Sequence, residues 1–215
     1  MWLCSKNLLM GNSAEPYEIL ESIRLNPKCF FILDETEFTT WDYSVEITLS
    51  DDTETVGYNT RFFRYGLTAD GTACTIIYDI ASSQKRATFY TGNQSRRLDA
   101  VGISTKTTFG ITRVSNEQAK CLQRQEDGTA IINYTIPSSF NSSKGSFGIF
   151  GTDETNSTFK GVFYNFTLTI EGNTVYDLVP ARRNSDGELG LLNKVDGKFY
   201  ENQGSGTIER GEEIA

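Results

Sequence analysis

Residues 161–170 read Gly-Val-Phe-Tyr-Asn-Phe-Thr-Leu-Thr-Ile, and their hydropathy alternates with a period of two. Val162, Tyr164, Phe166, Leu168 and Ile170 share one parity, and Asn165, Thr167 and Thr169 share the other. An extended strand sends successive side chains to opposite faces, so the pattern predicts a sheet with one dry and one wet side. The following Glu171-Gly172-Asn173-Thr174 holds a Gly-Asn pair that tolerates the positive φ of a tight hairpin. Val175–Val179 then returns. Pro180 has no amide hydrogen to give a ladder, which predicts that the returning strand stops there.

The same period recurs along the chain. Tyr43, Val45, Ile47 and Leu49 alternate with Ser44, Glu46 and Thr48, predicting a strand with the first set inward. Shorter β runs occupy 61–67, 74–80, 87–91, 107–114 and 145–151, and Lys120–Arg124 is placed to pair with Thr129–Ile136 across Glu126-Asp127-Gly128. Residues 92–97 read as a polar bend, and 137–145 as a long Ser/Asn-rich loop. Roughly a dozen short strands separated by turn signals are the mark of a β-sandwich or jelly roll. Aromatic residues at 12% and 19 glycines favour strands over helices. No helical period exceeds about two turns, and no linker or repeat interrupts the run. The chain is therefore read as all-β: a two-layer antiparallel β-sandwich formed as one domain by residues 17–215, with 1–16 as an N-terminal arm or edge strand.

Several chemistries are disfavoured by composition. The chain has no histidine, so it lacks the commonest general base and the commonest transition-metal ligand. Cys4, Cys29, Cys74 and Cys121 are widely spaced, fit neither a zinc site nor a dense disulfide scaffold, and are read as buried free thiols, with a single bridge as the alternative. A net charge of −8 with acids and bases intermixed argues against a nucleic-acid partner, which would need a basic stripe. No apolar stretch approaches the ~20 residues of a membrane span, and the first ten residues hold no signal-peptide core.

The closing segment is more distinctive. Leu-Val-Pro-Ala-Arg-Arg-Asn-Ser-Asp-Gly-Glu-Leu-Gly-Leu at 178–191, followed by Asp-Gly-Lys-Phe-Tyr-Glu-Asn-Gln-Gly-Ser-Gly-Thr at 196–207, resembles the end of concanavalin A-like, laminin-G-like jelly-roll domains. The version it resembles most is found in phage virion and bacterial surface proteins. That resemblance implies a concanavalin A-like jelly roll serving as a structural or adhesion module of a phage virion: a tail, fibre or capsid-decorating protein. Its partners would be host cell-surface polysaccharide, other virion proteins, or further copies of itself in a homo-oligomer. It would be made in the host cytoplasm and carried out on the particle. A purely architectural virion subunit and a glycoside hydrolase or lyase of the same fold are the alternatives. The opening departs from the resembled pattern, with Asn26-Pro27-Lys28-Cys29-Phe30-Phe31-Ile32-Leu33-Asp34 where Gly-Thr-Gln-Tyr-Ile-Asp-Thr-Gly is usual.

Glucanases on this scaffold carry closely spaced acids on one strand, so that period two aims them at one substrate. This chain has no such motif; Glu35 and Glu37 share a parity but sit among loop-like residues, and no catalytic residue is assigned. No enzyme activity and no resident cofactor are expected. Calcium is bound by relatives of the fold, and Asp51-Asp52, Asp153-Glu154 and Asn184-Ser185-Asp186-Gly187 offer oxygen ligands, but none has the spacing of a twelve-residue calcium loop. Sugar binding asks for an exposed aromatic ring to stack on a pyranose, flanked by hydrogen-bonding side chains. The candidates are Tyr58, Arg61, Arg64, Tyr65, Tyr90 and Asn93, with Phe62 and Tyr164 as further rings.

Overall fold

A computed structural model describes residues 16–51, 57–66, 74–81, 84–91 and 94–211. Strands β1 (Tyr17–Ile19), β2 (Ile23–Leu25), β3 (Phe31–Phe38), β4 (Tyr43–Asp51), β5 (Asn59–Tyr65) and β6 (Cys74–Ala81) come first. β7 (Gln84–Thr91), β8 (Gln94–Asp99), β9 (Thr107–Ser115), β10 (Gln118–Gln125), β11 (Ala130–Pro137) and β12 (Ser143–Ile149) follow. The chain ends in β13 (Gly161–Ile170), β14 (Asn173–Arg183), β15 (Leu189–Asn193), β16 (Phe199–Glu201) and β17 (Ile208–Arg210). The proposed arm lies outside the described residues, apart from Pro16.

Two antiparallel sheets form a sandwich. The larger runs β11-β10-β9-β4-β13-β14-β15-β16, with β1 on β14, β2 on β13 and β17 on β2. The smaller runs β3-β12-β5-β6-β7-β8. Rings from both layers meet between them: Phe147 of the smaller sheet packs edge-on against Phe166 of the larger at 5.5 Å, and Phe62 meets Phe109 at 4.9 Å. The alternation in β4 is realised, with Tyr43, Val45, Ile47 and Leu49 all buried.

Five local expectations are corrected. In β13 the pairing with β4 slips between Phe163 and Asn165, so a β-bulge reverses the parity. Phe163 enters the core with Phe166 and Leu168, while Val162 and Tyr164 turn outward, where Lys106 lies over the Tyr164 ring at 4.6 Å. The hairpin tip is Glu171-Gly172, both at positive φ, with Ile170 already paired to Asn173. β14 runs through Pro180 to Arg183. Pairing with β13 ends at Leu178 and pairing with β1 begins at Ala181, so the missing N–H falls at the seam between two partners. Residues 94–97, read as part of a polar bend, belong to β8, and the acids 34–37, read as loop-like, lie within β3; both strands are sheet edges.

The tail seals one margin of the sandwich. Asn202 is its clasp: its Oδ1 accepts from the Phe30 and Gly204 amides, and its Nδ2 donates to the Gly204 and Gly206 carbonyls. Gly204 and Gly206 press against the 27–29 backbone so closely that any Cβ would overlap the Lys28 and Pro27 carbonyl oxygens. Asp186-Gly187 and Asp196-Gly197 make the same turn twice. In each, the glycine at positive φ donates 2.8 Å to the carbonyl four residues back, and the aspartate caps the amide two residues on. Cys29, Cys74 and Cys121 are buried free thiols, and Cys4 lies outside the described residues.

Candidate functional site

Among the described residues, each sheet ends on one side in a strand paired only on its inner edge: β8 for the smaller sheet and β11 for the larger. Arg96 pairs with the buried Phe89 and Leu98 with the buried Ala87, so Gln94, Arg96 and Leu98 occupy the inward parity of β8. Across the sandwich, Ile132, Tyr134 and Ile136 pair with the buried Gln123, Cys121 and Ala119, so they occupy the inward parity of β11. Ile132 and Ile136 are buried, yet Tyr134 between them is 48% exposed. The two layers therefore part along this side. A groove of about 600 Å³ opens there, lined among others by Gln94, Arg96, Glu117, Gln118, Tyr134 and Ser138.

The floor of the groove is stiffened from beneath. Arg113 is buried on the inward parity of β9, while its neighbour Val114 is exposed, the reverse of their hydropathies. Its guanidinium donates to Ser138 Oγ at 2.9 Å, to the Ser138 carbonyl at 2.7 Å and to the Asn116 carbonyl at 2.8 Å. The Ser138 amide in turn donates to the Glu117 carbonyl at 2.8 Å, and Ser138 Oγ to the Thr91 carbonyl. Burial holds the Arg113 guanidinium below its usual range. A phenol ring open on one face, with amides, hydroxyls and an arginine beside it, can stack on a sugar ring and satisfy its hydroxyls.

The residues singled out in the sequence divide into two groups. The register places Arg64, Thr75, Tyr90 and Ser95 in one row across the smaller sheet, and Arg61, Ile77, Thr88 and Arg97 in the next, all on its outer face. Arg61, Arg64 and Tyr90 thus share a surface. Burial, then the charge of Arg64, lowers the Arg61 pKa, while Asp153 and Tyr90 act in the opposite direction. Arg61 Nη1 is buried without a hydrogen-bond partner among the described residues. Arg97 is held by Asp79 at 2.6 Å.

Tyr58 and Tyr65 do not join that surface. Tyr65 is wholly buried, with its hydroxyl donating to the Thr36 carbonyl at 2.7 Å and the Ser143 carbonyl at 2.9 Å, so it offers no ring to a ligand. Tyr58 packs against the core and donates to the buried Asp51 carboxylate; burial, reinforced by that carboxylate, pushes its phenol far up. Phe62 is likewise core, and Asn93 lies outside the described residues. Tyr134 and Arg96 belong to no motif in the sequence. The available signal was an arginine and a glutamine at alternate positions in β8, where a closed sandwich would demand apolar side chains.

The remaining acids are engaged or dispersed. Glu35 and Glu37 are exposed on β3, and Glu35 pairs with Lys144. Asp153 caps Thr155 and Asn156, and Asp186 is gripped by Arg183 and the Glu188 amide. Among the described residues no three carboxylate or thiol groups gather as a metal site would require.

No family model matches the sequence, and no curated protein matches it. Solved structures do. The LG1–3 region of the laminin α2 chain superposes with a TM-score of 0.53 and 9% identity, over 89% of this chain and 35% of that one. The fold is laminin-G-like. A legume lectin-like domain from Entamoeba histolytica gives a TM-score of 0.48 at 8% identity, covering 73% of this chain and 91% of that one. The enzymatically active domain of tailspike protein 2 from bacteriophage CBA120 gives 0.47 at 10%, covering 64% and 24%. The laminin-G-like sandwich described here thus spans about a third of the laminin region and a quarter of the tailspike domain.

Proposed function

We propose that this laminin-G-like chain is a non-enzymatic saccharide-binding module of a phage particle, and that the groove between β8 and β11 is its binding site. One observation carries the reading: Tyr134 stands on a core-facing parity yet opens to solvent, beside Gln94, Arg96 and Gln118. Such a ring would otherwise be an unexplained cost, because nearly half of it forgoes burial. The outer face bearing Arg61, Arg64 and Tyr90 adjoins the groove through β8, since Ser95 pairs with Tyr90, and extends the surface available to a long polymer.

Hydrolysis by the usual two-carboxylate device needs a nucleophile or base and an acid facing one bond. Glu117 is the only carboxylate among the described groove residues, which supports binding without cleavage. The resemblance of the closing segment supports a place on a virion. An architectural subunit is the second reading, supported by the outer edges of β8 and β11, which no strand among the described residues pairs and which are ready templates for a neighbouring chain.

A glycan array on the purified protein tests the binding site, a reducing-sugar assay on any bound polymer tests the absence of cleavage, and mass spectrometry of purified particles tests the location. Binding without sugar release, by a protein present in particles, is the expected outcome. Particle association with no glycan bound would favour the architectural subunit.

A further inference from the structure

We infer that the groove takes an acidic saccharide, one bearing carboxylate, sulfate or phosphate groups, in preference to a neutral one. This rests on the groove being the saccharide site. Among the described residues lining the groove, Arg96 supplies one positive charge and Glu117 one negative, and the two offset each other. Beneath the floor lies Arg113, 3% exposed, whose hydrogen-bond acceptors are all neutral: a serine hydroxyl and two backbone carbonyls. Its Nε is buried with no hydrogen-bond partner among the described residues. Among the described residues, the Phe140 ring lies 5.9 Å from its guanidinium carbon, and the nearby Tyr43 phenol is kept protonated by burial.

A buried cation normally has a carboxylate beside it, because neutral acceptors alone compensate poorly for lost hydration. Ser138, which accepts from Arg113 through both its hydroxyl and its carbonyl, is itself a floor residue of the groove. The uncompensated charge therefore acts on whatever fills the groove, through protein rather than bulk water, where screening is weak. An anionic group seated above Ser138, within reach of Arg96, would supply the missing counter-charge. The outer face nearby adds Arg61 and Arg64 on one strand, while Arg97 there is offset by Asp79. This local excess stands against a chain that is acidic as a whole, at −8.

The test is a binding series in which each acidic polysaccharide is presented beside its neutral twin: uronates with their carboxyl-reduced forms, sulfated chains with their desulfated forms. We expect binding confined to acidic members, at least about tenfold weaker for each neutral twin, with only a modest loss as salt screens the exposed Arg96. Arg96 is exposed, so Arg96→Gln should fold normally and lower affinity for the acidic member alone. Arg113→Lys, where it folds, should retain the preference. Equal binding of acidic and neutral twins, or binding of neutral chains alone, would overturn the inference and leave the saccharide site standing. Binding of no member would remove the saccharide reading, and this inference with it.

Discussion

At the scale of single residues, the groove and the core impose opposite demands on similar side chains. Tyr65 is a core tyrosine whose hydroxyl is spent on two carbonyls, whereas Tyr134 keeps a free face. Tyr134→Ala should therefore change stability by less than about 1 kcal/mol in a urea melt, as at most exposed positions. It should weaken saccharide binding by about tenfold or more, the equivalent of about 1.4 kcal/mol. A large stability loss would place the ring in the core instead. The thiols make a different prediction. Burial raises Cys29 from the ordinary 9.0 to about 11 and Cys121 to about 12. The folded chain thus holds these protons to higher pH than the unfolded one. The stability this contributes is complete below about pH 9 and is lost as pH climbs through 11 to 12. Urea midpoints should fall across that window, and thiol reagents should react at pH 8 with the denatured chain far faster than with the native one.

At the scale of elements, period two was legible wherever a strand lies inside a sheet with a continuous register. β4 is the clear case, its four inward residues all buried. The same reasoning failed in β13 because a bulge adds one residue without leaving any mark in composition. It failed in β8 because that strand lies at an edge facing an open groove, where polar inward residues carry no penalty. The site was hidden for the same reason: Ile132, Tyr134 and Ile136 share one parity of β11, and nothing in the sequence separates the exposed Tyr134 from its two buried neighbours. Of the six residues proposed from sequence, Arg61, Arg64 and Tyr90 do share a surface, but the bulge between Arg61 and Phe63 in β5, which puts Tyr65 on the buried face, leaves no mark in the sequence. The Gly204-Ser205-Gly206 segment, by contrast, has a plain physical reason. Gly204→Ala would drive a methyl group into the Lys28 carbonyl, a rigid backbone atom, and should cost about 2–3 kcal/mol. Ser205→Ala, one residue away, should be close to neutral. Comparable melting temperatures for the two variants would mean that the tail is not seated on the 27–29 turn.

At the scale of the whole molecule, the larger sheet is closed by residues from opposite ends of the chain. Tyr17 pairs with Arg183, and Ile23 pairs with both Phe163 and Arg210. β2 is thus held between β13 and β17, so it gains its second neighbour only when nearly the entire chain is present. Contacts of such long sequence separation make folding slow, in the millisecond-to-second range or beyond, because loop-closure entropy is lost before the pairing is gained. They also make the tail a condition of the fold rather than an ornament on it. A chain ending at Glu201 lacks β17 and the Asn202 clasp, which leaves the Phe30 amide and the outer edge of β2 without their partners. Buried strand edges and amides without acceptors each cost about 1–3 kcal/mol, a large share of the 5–15 kcal/mol that holds a domain together. The shortened chain should therefore melt at least about 10 °C lower, or be recovered only as aggregate, and its β2 amides should exchange hydrogen far faster than those of β4. Unchanged melting and unchanged protection of β2 would show that the sandwich closes without its last strand.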